Sequence, residues 1–412
     1  MRILIVTQYF WPENFRINDL VLGLKDKGHD LEVLTGMPNY PGGKIFPGYG
    51  DFKKYIDEYH GVPVFRCPLV PRGNGGGIRL ALNFASFALS AALFSLWKCR
   101  GRYDIIFVYE PSPITVALPA IVVKKKSGAP LMLWVQDLWP ESLSATGAVT
   151  SPRILNAVAR MVRYIYSSCD RILVQSRAFA APIIQMGSPE DRVDYLPNSA
   201  DDCHAAQTAT PSDAQNEMGL PTGFRVVFAG NIGAAQDFET ILAAAERLKE
   251  YRDIRWIIAG DGRMRSWVEA QVDERGMKDT FHLLGLLPVE AMSTLFEHAD
   301  VLLATLGKAP IFSMTIPSKI QSYLAATKPI IAAMDGEGAR IVEDAGAGFA
   351  CPSGDPEQLA NAVIDLYNLS QQERSVFGQR GRLYFEQNFE RNMLLDRLEG
   401  WMRDLAGYKE KN

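Results

Sequence analysis

The sequence predicts an α/β protein made of two tandem Rossmann-type domains, each with a parallel sheet. Short apolar runs alternate with helix-length segments, and this alternation occurs twice along the 412 residues. A stretch without apolar periodicity separates the two series. Because a chain of this length is too long for one ordinary core, we expect two domains.

The first series lies in the N-terminal half and predicts a domain over residues 1–200. An apolar run at 3–7 is followed by an amphipathic segment at 18–27, which Gly28 ends. Strands of parallel sheets are buried on both faces, so continuous Ile, Leu and Val runs are typical of them. The other predicted strands of this domain are 31–35, 105–109, 131–135 and 171–175.

The second series predicts a domain over residues 223–380. Residues 201–222 are rich in Ala, Asp, Thr and Pro, which indicates a linker. The amphipathic tail at 381–412 is expected to be a helix that crosses back to the first domain. Open sheets bind ligands at the carboxyl ends of their strands, so we expect two facing domains to share one cleft. The predicted strands of the second domain are 225–229, 256–259, 280–283, 301–304 and 330–333.

Composition limits the classes of partner. The formal net charge is -4, with 43 Lys and Arg against 47 Asp and Glu, which argues against a nucleic-acid binder. The five cysteines are scattered and never at C-x-x-C spacing, as expected in a reducing cytoplasm. Met1 leads directly into an apolar strand, so no signal peptide is expected. We therefore expect a cytoplasmic protein that acts on small molecules or at membranes.

Two loops of the second domain are suited to bind phosphate. The first follows the strand at 225–229 and contains Gly230 and Gly233, which allow backbone N–H groups to approach an anion. A plain tight turn remains the alternative, and the G-x-G-x-x-G dinucleotide pattern is absent. The second contains Pro317, Ser318 and Lys319 at a predicted helix start, where amides and an ammonium can converge on phosphate oxygens. Its alternative is a capped helix with a solvated lysine.

In order and spacing, these segments resemble the retaining GT-B glycosyltransferases of family 4. The resemblance implies that the glycine loop and the Pro-Ser-Lys helix hold a nucleotide sugar, without a metal ion or other cofactor. The matching segments are 230–233, 260–262, 284–288, 299–303, 317–319 and 328–331.

The chain also departs from the family pattern. Many relatives have Arg and Lys around the glycine loop, whereas this chain has Asn231 and Gln236. Phosphate neutralisation then depends on Lys319, backbone amides and Arg263. Where relatives have a glutamate pair, this chain has Met314 and Ser322, which leaves the ribose to Gln321 or Ser322. The implied donor-binding residues are Gly230, Asn231, Gly233, Gln236, Arg263, Ser318, Lys319, Gln321 and Ser322.

In the N-terminal domain, residues 7–20 join a strand to a helix, where an open sheet presents ligand-binding groups. Together with residues 37–43, they resemble the O-antigen and capsule subgroup that includes the N-acetyl-L-fucosamine transferase WbuB. This implies a UDP-sugar donor, including the N-acetyl-fucosamine type, and an undecaprenyl-diphosphate-linked saccharide as acceptor. We expect Glu13 and Asn14 to act in catalysis with Lys319, and Arg16 and Tyr40 to bind the acceptor. A local ion pair at the helix start is the alternative for Glu13 and Arg16.

A further candidate pair follows the strand at 131–135. Asp137 and Trp139 suit sugar recognition, because carboxylates accept hydroxyl hydrogen bonds and aromatic rings cover apolar sugar faces. A core Trp beside a capping Asp is the alternative. Many relatives have His-Asp where this chain has Gln136-Asp137, so no histidine role is carried over. The family resemblance implies front-face transfer, in which a donor phosphate oxygen takes the acceptor proton.

An uncharged apolar stretch at 80–97 is bracketed by Arg79 and by Lys98, Arg100 and Arg102. Its length is at the lower limit for a bilayer span, and a span would divide one sheet between two sides of the membrane. We expect an interfacial helix on the anionic inner face of the plasma membrane, with a buried helix as the alternative.

Two other functions fit the same domain plan. A nonhydrolysing UDP-sugar epimerase would need acid/base carboxylates and histidines around the sugar, and none of the five histidines lies in these segments. A sugar-nucleotide-binding protein without turnover is the second.

Overall fold

A computed structural model of the chain describes residues 1–50, 54–73, 75–145, 149–200, 219–288 and 290–407. The chain divides into two compact units. One comprises Met1–Pro197 with Leu394–Asn412, and the other comprises Asn198–Met393. Most of the predicted linker, 201–222, lies outside the described residues.

The first unit is built on an eight-stranded sheet with strand order β3-β4-β2-β1-β5-β6-β7-β8. Neighbouring strands are parallel except for the β3–β4 pair. The strands are β1 (Arg2–Val6), β2 (Asp30–Gly36), β3 (Ile56–Tyr59), β4 (Val62–Cys67), β5 (Ile105–Glu110), β6 (Leu131–Val135), β7 (Arg171–Val174) and β8 (Val193–Tyr195). The helices are α1 (Arg16–Asp26), α2 (Gly77–Lys98), α3 (Ala117–Ser127), α4 (Glu141–Ala145), α5 (Pro152–Ser168) and α6 (Ala180–Gln185).

The second unit has a six-stranded sheet, with all neighbours parallel, in the order β11-β10-β9-β12-β13-β14. The strands are β9 (Phe224–Ala229), β10 (Ile254–Ala259), β11 (Phe281–Gly285), β12 (Val301–Thr305), β13 (Ile330–Ala333) and β14 (Gly348–Cys351). The helices are α7 (Phe238–Arg247), α8 (Arg265–Glu274), α9 (Glu290–Glu297), α10 (Pro310–Ser313), α11 (Ser318–Ala325), α12 (Glu337–Asp344), α13 (Pro356–Asn368) and α14 (Gln371–Asn388). The predicted two-domain α/β fold with parallel sheets is confirmed.

The C-terminal tail is two helices rather than the single helix expected. Helix α14 ends at Asn388 and a separate helix, α15 (Arg391–Leu405), follows it. Residues from Leu394 onward belong to the first unit. There Glu399 lies 3.4 Å from the Lys27 ammonium, and the Arg171 guanidinium lies over the Trp401 ring.

Helix α2 has two apolar faces. One is buried and packs against α3, β2 and β4, with Phe84, Phe87 and Ala91 in the core. By length and composition alone, α2 would also be able to cross a bilayer. The buried face covers the sheet, as the buried-helix interpretation of 80–97 expects. The interfacial interpretation stays a prediction. The exposed face carries Ile78, Leu82, Leu89, Leu93, Leu96 and Trp97.

Candidate active site

Loops from three neighbouring strands meet at the carboxyl edge of the first sheet, and Glu13 holds two of them together. The side chain is buried, with 2% exposed. Its Oε1 accepts the backbone N–H groups of Asn39, at 2.8 Å, and Tyr40, at 2.7 Å. Its Oε2 accepts the N–H of Phe10 at 3.3 Å. These contacts pin the loop after β2 to the loop after β1.

These contacts occupy the carboxylate within its own domain, and the expected role of Glu13 in catalysis stays a prediction. Burial raises the pKa of Glu13 to about 7, although the backbone donors oppose the shift. Because both carboxylate oxygens accept backbone N–H groups, the structure gives Glu13 a positioning role. The sequence did not indicate this, because its partners lie 26 and 27 residues away along the chain.

The other N-terminal candidates lie nearer the surface. Asn14 is exposed, and 38% of Tyr40 is exposed. Arg16 is partly buried near Tyr109, whose pKa is raised by burial and lowered in part by the Arg16 charge. The structure therefore brings Glu13 and Tyr40 together, with Asn14 and Arg16 at the adjoining helix start. Their roles in catalysis and acceptor binding stay predictions.

Asp137 and Trp139 lie farther along the same edge, after β6. Asp137 accepts hydrogen bonds from the Ser142 hydroxyl and, at 3.2 Å, from Trp139 Nε1. The Trp139 ring is only 6% exposed and packs edge-on against Phe84. The expected sugar platform is therefore covered, and the alternative of a core Trp beside Asp137 describes the site better.

The sequence analysis missed Glu110, the last residue of β5. Its side chain is fully buried, and burial together with the nearby Asp137 carboxylate raises its pKa well above the ordinary value. The signal that could have revealed it is an acidic residue directly after the apolar run 105–109.

A buried set of three amide side chains, also missed, joins this edge to α2. Gln8 Nε2 donates to Asn83 Oδ1 at 2.7 Å, and Asn83 Nδ2 lies 3.4 Å from Asn39 Oδ1. All three side chains are fully buried. Asn83 was visible in the sequence as a polar residue within an apolar helix.

In the second unit, two glycine loops pack backbone against backbone. Gly230 N–H donates to Ala259 O, and Ile232 N–H donates to Asp261 O, each at 2.8 Å. A Cβ at Gly260 would come within 1.9 Å of Gly230 O, so only glycine fits there. A 3₁₀ turn over Ala234–Gln236 separates this loop from α7, which begins at Phe238. The N–H groups near Gly233 therefore belong to the loop and turn, and the α7 N-terminus starts farther on.

Lys319 lies beside this loop. Its Cε would lie 2.6 Å from a Cβ added at Gly230, and its Nζ lies 3.3 Å from the centroid of the Phe228 ring. Nζ is buried and has no hydrogen-bond partner among the described residues. Burial lowers the pKa of Lys319 to about 7. A buried amine without an acceptor is costly, and an anionic ligand at this position would relieve that cost.

The remaining donor candidates divide by exposure. Asn231, Arg263 and Ser318 are exposed, and Asn231 Nδ2 lies 3.4 Å from Gln236 Oε1. Pro317 caps α11 and lies just before its first turn. Ser322 is partly exposed, and its hydroxyl donates to Ser318 O at 3.3 Å. Gln321 is fully buried on α11, and neither polar atom of its side chain has a hydrogen-bond partner among the described residues. Its expected contact with the ribose stays a prediction.

No cluster of three or more metal-binding side chains occurs among the residues that the structure describes. The acidic pair at 201–202 lies outside them. The expectation of a metal-independent site stays a prediction.

Two domain families match the chain, one in each half. Residues 14–199 match the glycosyl transferase 4-like domain, and residues 215–384 match glycosyl transferases group 1. With the tandem parallel sheets, these matches show that the chain is a glycosyltransferase of the GT-B fold.

Individual relatives agree with this class. The probable glycosyltransferase WbjE of Pseudomonas aeruginosa is 27% identical over 82% of this chain and 84% of its own length. The putative colanic acid biosynthesis glycosyl transferase WcaI of Escherichia coli K12 is 25% identical over 79% and 81%. Among solved structures, Anabaena Alr3699/HepE in complex with UDP has a TM-score of 0.70 at 16% identity, over 98% of this chain and 100% of that one. WaaG, a glycosyltransferase involved in lipopolysaccharide biosynthesis, has a TM-score of 0.68 at 14% identity, over 99% and 100%.

Proposed function

We propose that this glycosyltransferase moves a sugar from a UDP-sugar to a lipid-diphosphate-linked saccharide during O-antigen, capsule or exopolysaccharide synthesis. The observation that carries the donor assignment is the buried Lys319 ammonium beside the paired glycine loops. Such an arrangement offers a positive charge and backbone N–H groups to a diphosphate. The structural relative HepE was solved with UDP and with UDP-glucose, which supports UDP as the nucleotide.

The acceptor class is supported by the relatives and by α2. WcaI is described as a colanic acid enzyme, and WaaG as a lipopolysaccharide enzyme. The exposed apolar face of α2 fits a protein that meets lipid-linked substrates at a membrane surface. Within this proposal, the WbuB-like sequence features favour an N-acetyl-fucosamine-type sugar as the donor group.

The proposed reaction proceeds with retention. The bond between the anomeric carbon and the diphosphate breaks, and the acceptor oxygen bonds to the same face of that carbon. The acceptor proton passes to a phosphate oxygen of the departing UDP. The protein orients both substrates and stabilises the leaving diphosphate, so a preorganised cation matters more than a strong base. We also propose that no metal ion is needed, and activity should survive EDTA.

A mass-spectrometric screen tests this proposal. The protein is incubated with UDP-, GDP- and dTDP-sugars and a panel of lipid-diphosphate saccharides, and the products are resolved by donor and acceptor. We expect a new glycoside only when a UDP-sugar and a lipid-diphosphate acceptor are both present. Conversion of the UDP-sugar without acceptor would indicate an epimerase instead. UDP binding without any product across the panel would indicate a binding protein.

A further inference from the structure

Arg72 has no role in the proposed function as described so far. It lies after β4, at the same carboxyl edge as Glu13, with its guanidinium 4.9 Å from the Tyr40 ring centroid. Its Nη1 donates to the Tyr9 hydroxyl at 3.0 Å. Among the described residues, its guanidinium contacts the Tyr9 hydroxyl and the Tyr9 and Tyr40 rings rather than a carboxylate. The guanidinium therefore retains donors for an anion.

Two aromatic rings, those of Tyr9 and Tyr40, contact this cation, and Phe15 packs on both of them. Tyr9 and Phe15 stack with their ring centroids 5.1 Å apart, and Tyr40 lies 5.3 Å from Phe15 and 5.7 Å from Tyr9. Tyr40 is the most exposed of the three, and its ring lies next to the Arg72 guanidinium. Aromatic faces beside a cation suit a sugar attached to a phosphate.

The chain from Pro68 to Arg72 runs along α2. Ser90 Oγ donates to Pro68 O, the Val70 N–H donates to Ser86 Oγ at 2.9 Å, and Arg79 Nε donates to Pro71 O at 3.1 Å. Contacts therefore move toward the start of α2 as the chain approaches Arg72. Pro68 and Arg72 are four residues apart in the chain, so their Cα atoms are separated by at most about 14 Å.

An apolar groove lies at the Pro68 end of this path. It is a cavity of about 340 Å³ with an almost wholly apolar lining. It opens beside the exposed apolar face of α2, where Leu93 is 59% and Trp97 is 73% exposed. Its lining residues are Pro68, Ser90, Leu93, Phe94, Leu96 and Trp97.

We infer that this surface binds the acceptor lipid, with Arg72 on its diphosphate and the groove on the adjoining hydrocarbon chain. The inference rests on the proposed function and names its acceptor subsite. The order groove, cation, aromatic rings matches the order hydrocarbon, diphosphate, sugar in such a lipid. Arg is suited to this role because its planar guanidinium makes paired hydrogen bonds to phosphate. A membrane phospholipid alone would not account for the aromatic rings beyond the cation.

Binding of farnesyl diphosphate, measured by calorimetry with saturating UDP, tests the inference. UDP keeps the probe out of the donor site. Arg72→Gln should weaken binding of farnesyl diphosphate roughly tenfold or more, the scale of one lost charge-assisted hydrogen bond. The same variant should bind farnesol, which has no diphosphate, as tightly as the parent does. Leu93→Asn should weaken both probes, because it places a polar group in the groove.

Two matched controls separate these effects from general surface changes. Arg163→Gln removes an exposed arginine from α5, and Leu383→Asn changes an exposed leucine of α14. Both should bind farnesyl diphosphate as the parent does, and thermal melts should show that every variant is folded.

The inference is wrong if Arg72→Gln binds farnesyl diphosphate as tightly as the parent, or if inorganic pyrophosphate binds equally well. It is also wrong if Leu93→Asn loses only binding to anionic vesicles, because the groove then serves the bilayer alone. Transfer assays distinguish this failure from that of the proposed function. One outcome is that farnesyl diphosphate binds in an Arg72-dependent way while no lipid-diphosphate saccharide is glycosylated. That result would overturn the proposed function and still support the lipid subsite. Transfer with an unchanged acceptor KM in Arg72→Gln would overturn only the subsite.

Discussion

Lys319 shows how a single residue can be prepared for its ligand. Its stem lies against Gly230 and its ammonium on the Phe228 ring, away from water and without a carboxylate partner among the described residues. Desolvation makes its charge more costly in the free protein than in a complex with an anion. This difference is what allows a cation to favour a charged transition state.

We predict that Lys319→Ala lowers turnover by roughly 100-fold or more, the scale of one lost preorganised electrostatic group. A diphosphate gains negative charge as the glycosidic bond breaks, so the loss should appear in kcat. Lys319→Arg should restore activity only in part, because a guanidinium places its charge differently. Turnover is measured at saturating donor and acceptor, with UDP affinity and a thermal melt for each variant. Near-normal turnover in folded Lys319→Ala would contradict this prediction. Stabilisation of the leaving diphosphate would then be assigned to Arg263 or the loop amides.

UDP binding should take up a proton at pH 8. The pKa of Lys319 is lowered to about 7, so most of the free protein holds a neutral amine at that pH. A bound diphosphate favours the charged form and raises this pKa, so uptake should vanish well below pH 7. Calorimetry in two buffers of different ionisation enthalpy measures the number of protons taken up on UDP binding. Lys319→Ala and Lys319→Arg should show no uptake, and equal uptake in Lys319→Ala would assign the proton to another group.

Glu110→Gln should stabilise the protein, and more so as pH rises. Burial raises the pKa of Glu110 above its ordinary value of 4.5, so between these pKa values the folded state binds more protons than the unfolded state. Stability then falls as pH rises through that window, and an uncharged amide removes this loss. Thermal melts should differ most at pH 8 and converge near pH 4.5. Glu250→Gln, an exposed control on the second unit, should show no such trend.

At the scale of elements, α2 combines a core helix and a surface helix in one segment. Its buried face covers the sheet, while its exposed face presents Leu89, Leu93 and Trp97 beside exposed cations at both ends. Apolar residues next to cations are typical of helices that lie on anionic membranes.

Replacing Arg79, Lys98, Arg100 and Arg102 by Gln should weaken binding to anionic vesicles without unfolding the protein. Each cation near such a surface contributes about 1 kcal/mol. Flotation with vesicles of increasing anionic lipid content measures the effect, and neutral vesicles serve as the control. Unchanged binding would show that this patch is not the anchor.

At the scale of the whole molecule, the sequence predicts that the edge with Glu13, Asn14 and Arg16 faces Gly233, Lys319 and Gln321 across a cleft. A donor held by one domain and an acceptor held by the other meet only on closure. The radius of gyration from small-angle scattering should therefore fall when UDP and an acceptor analogue are both bound. Unchanged scattering at saturation would argue against closure. The facing arrangement stays a prediction.

The sequence by itself determined the two-domain α/β fold and the class of enzyme. Buried parallel strands are continuous apolar runs, so β1, β5, β6, β9 and β12 were visible from local composition. Strand β3 was not predicted. It lies at the edge of the sheet and is half polar, so it lacks the continuous apolar run that marks a buried strand. The glycine loop and the Pro-Ser-Lys segment were visible because each is contiguous in the chain.

Only the tertiary structure decided what those residues touch. Glu13 bonds backbone groups beyond β2, Arg72 joins Tyr9 across 63 residues, and Lys319 lies on Phe228. Trp139 and Gln321 became buried for the same reason, since packing partners from other elements cover them. Parallel strands bring distant loops to one edge, and the contacts made there depend on strand order, which local sequence patterns do not specify.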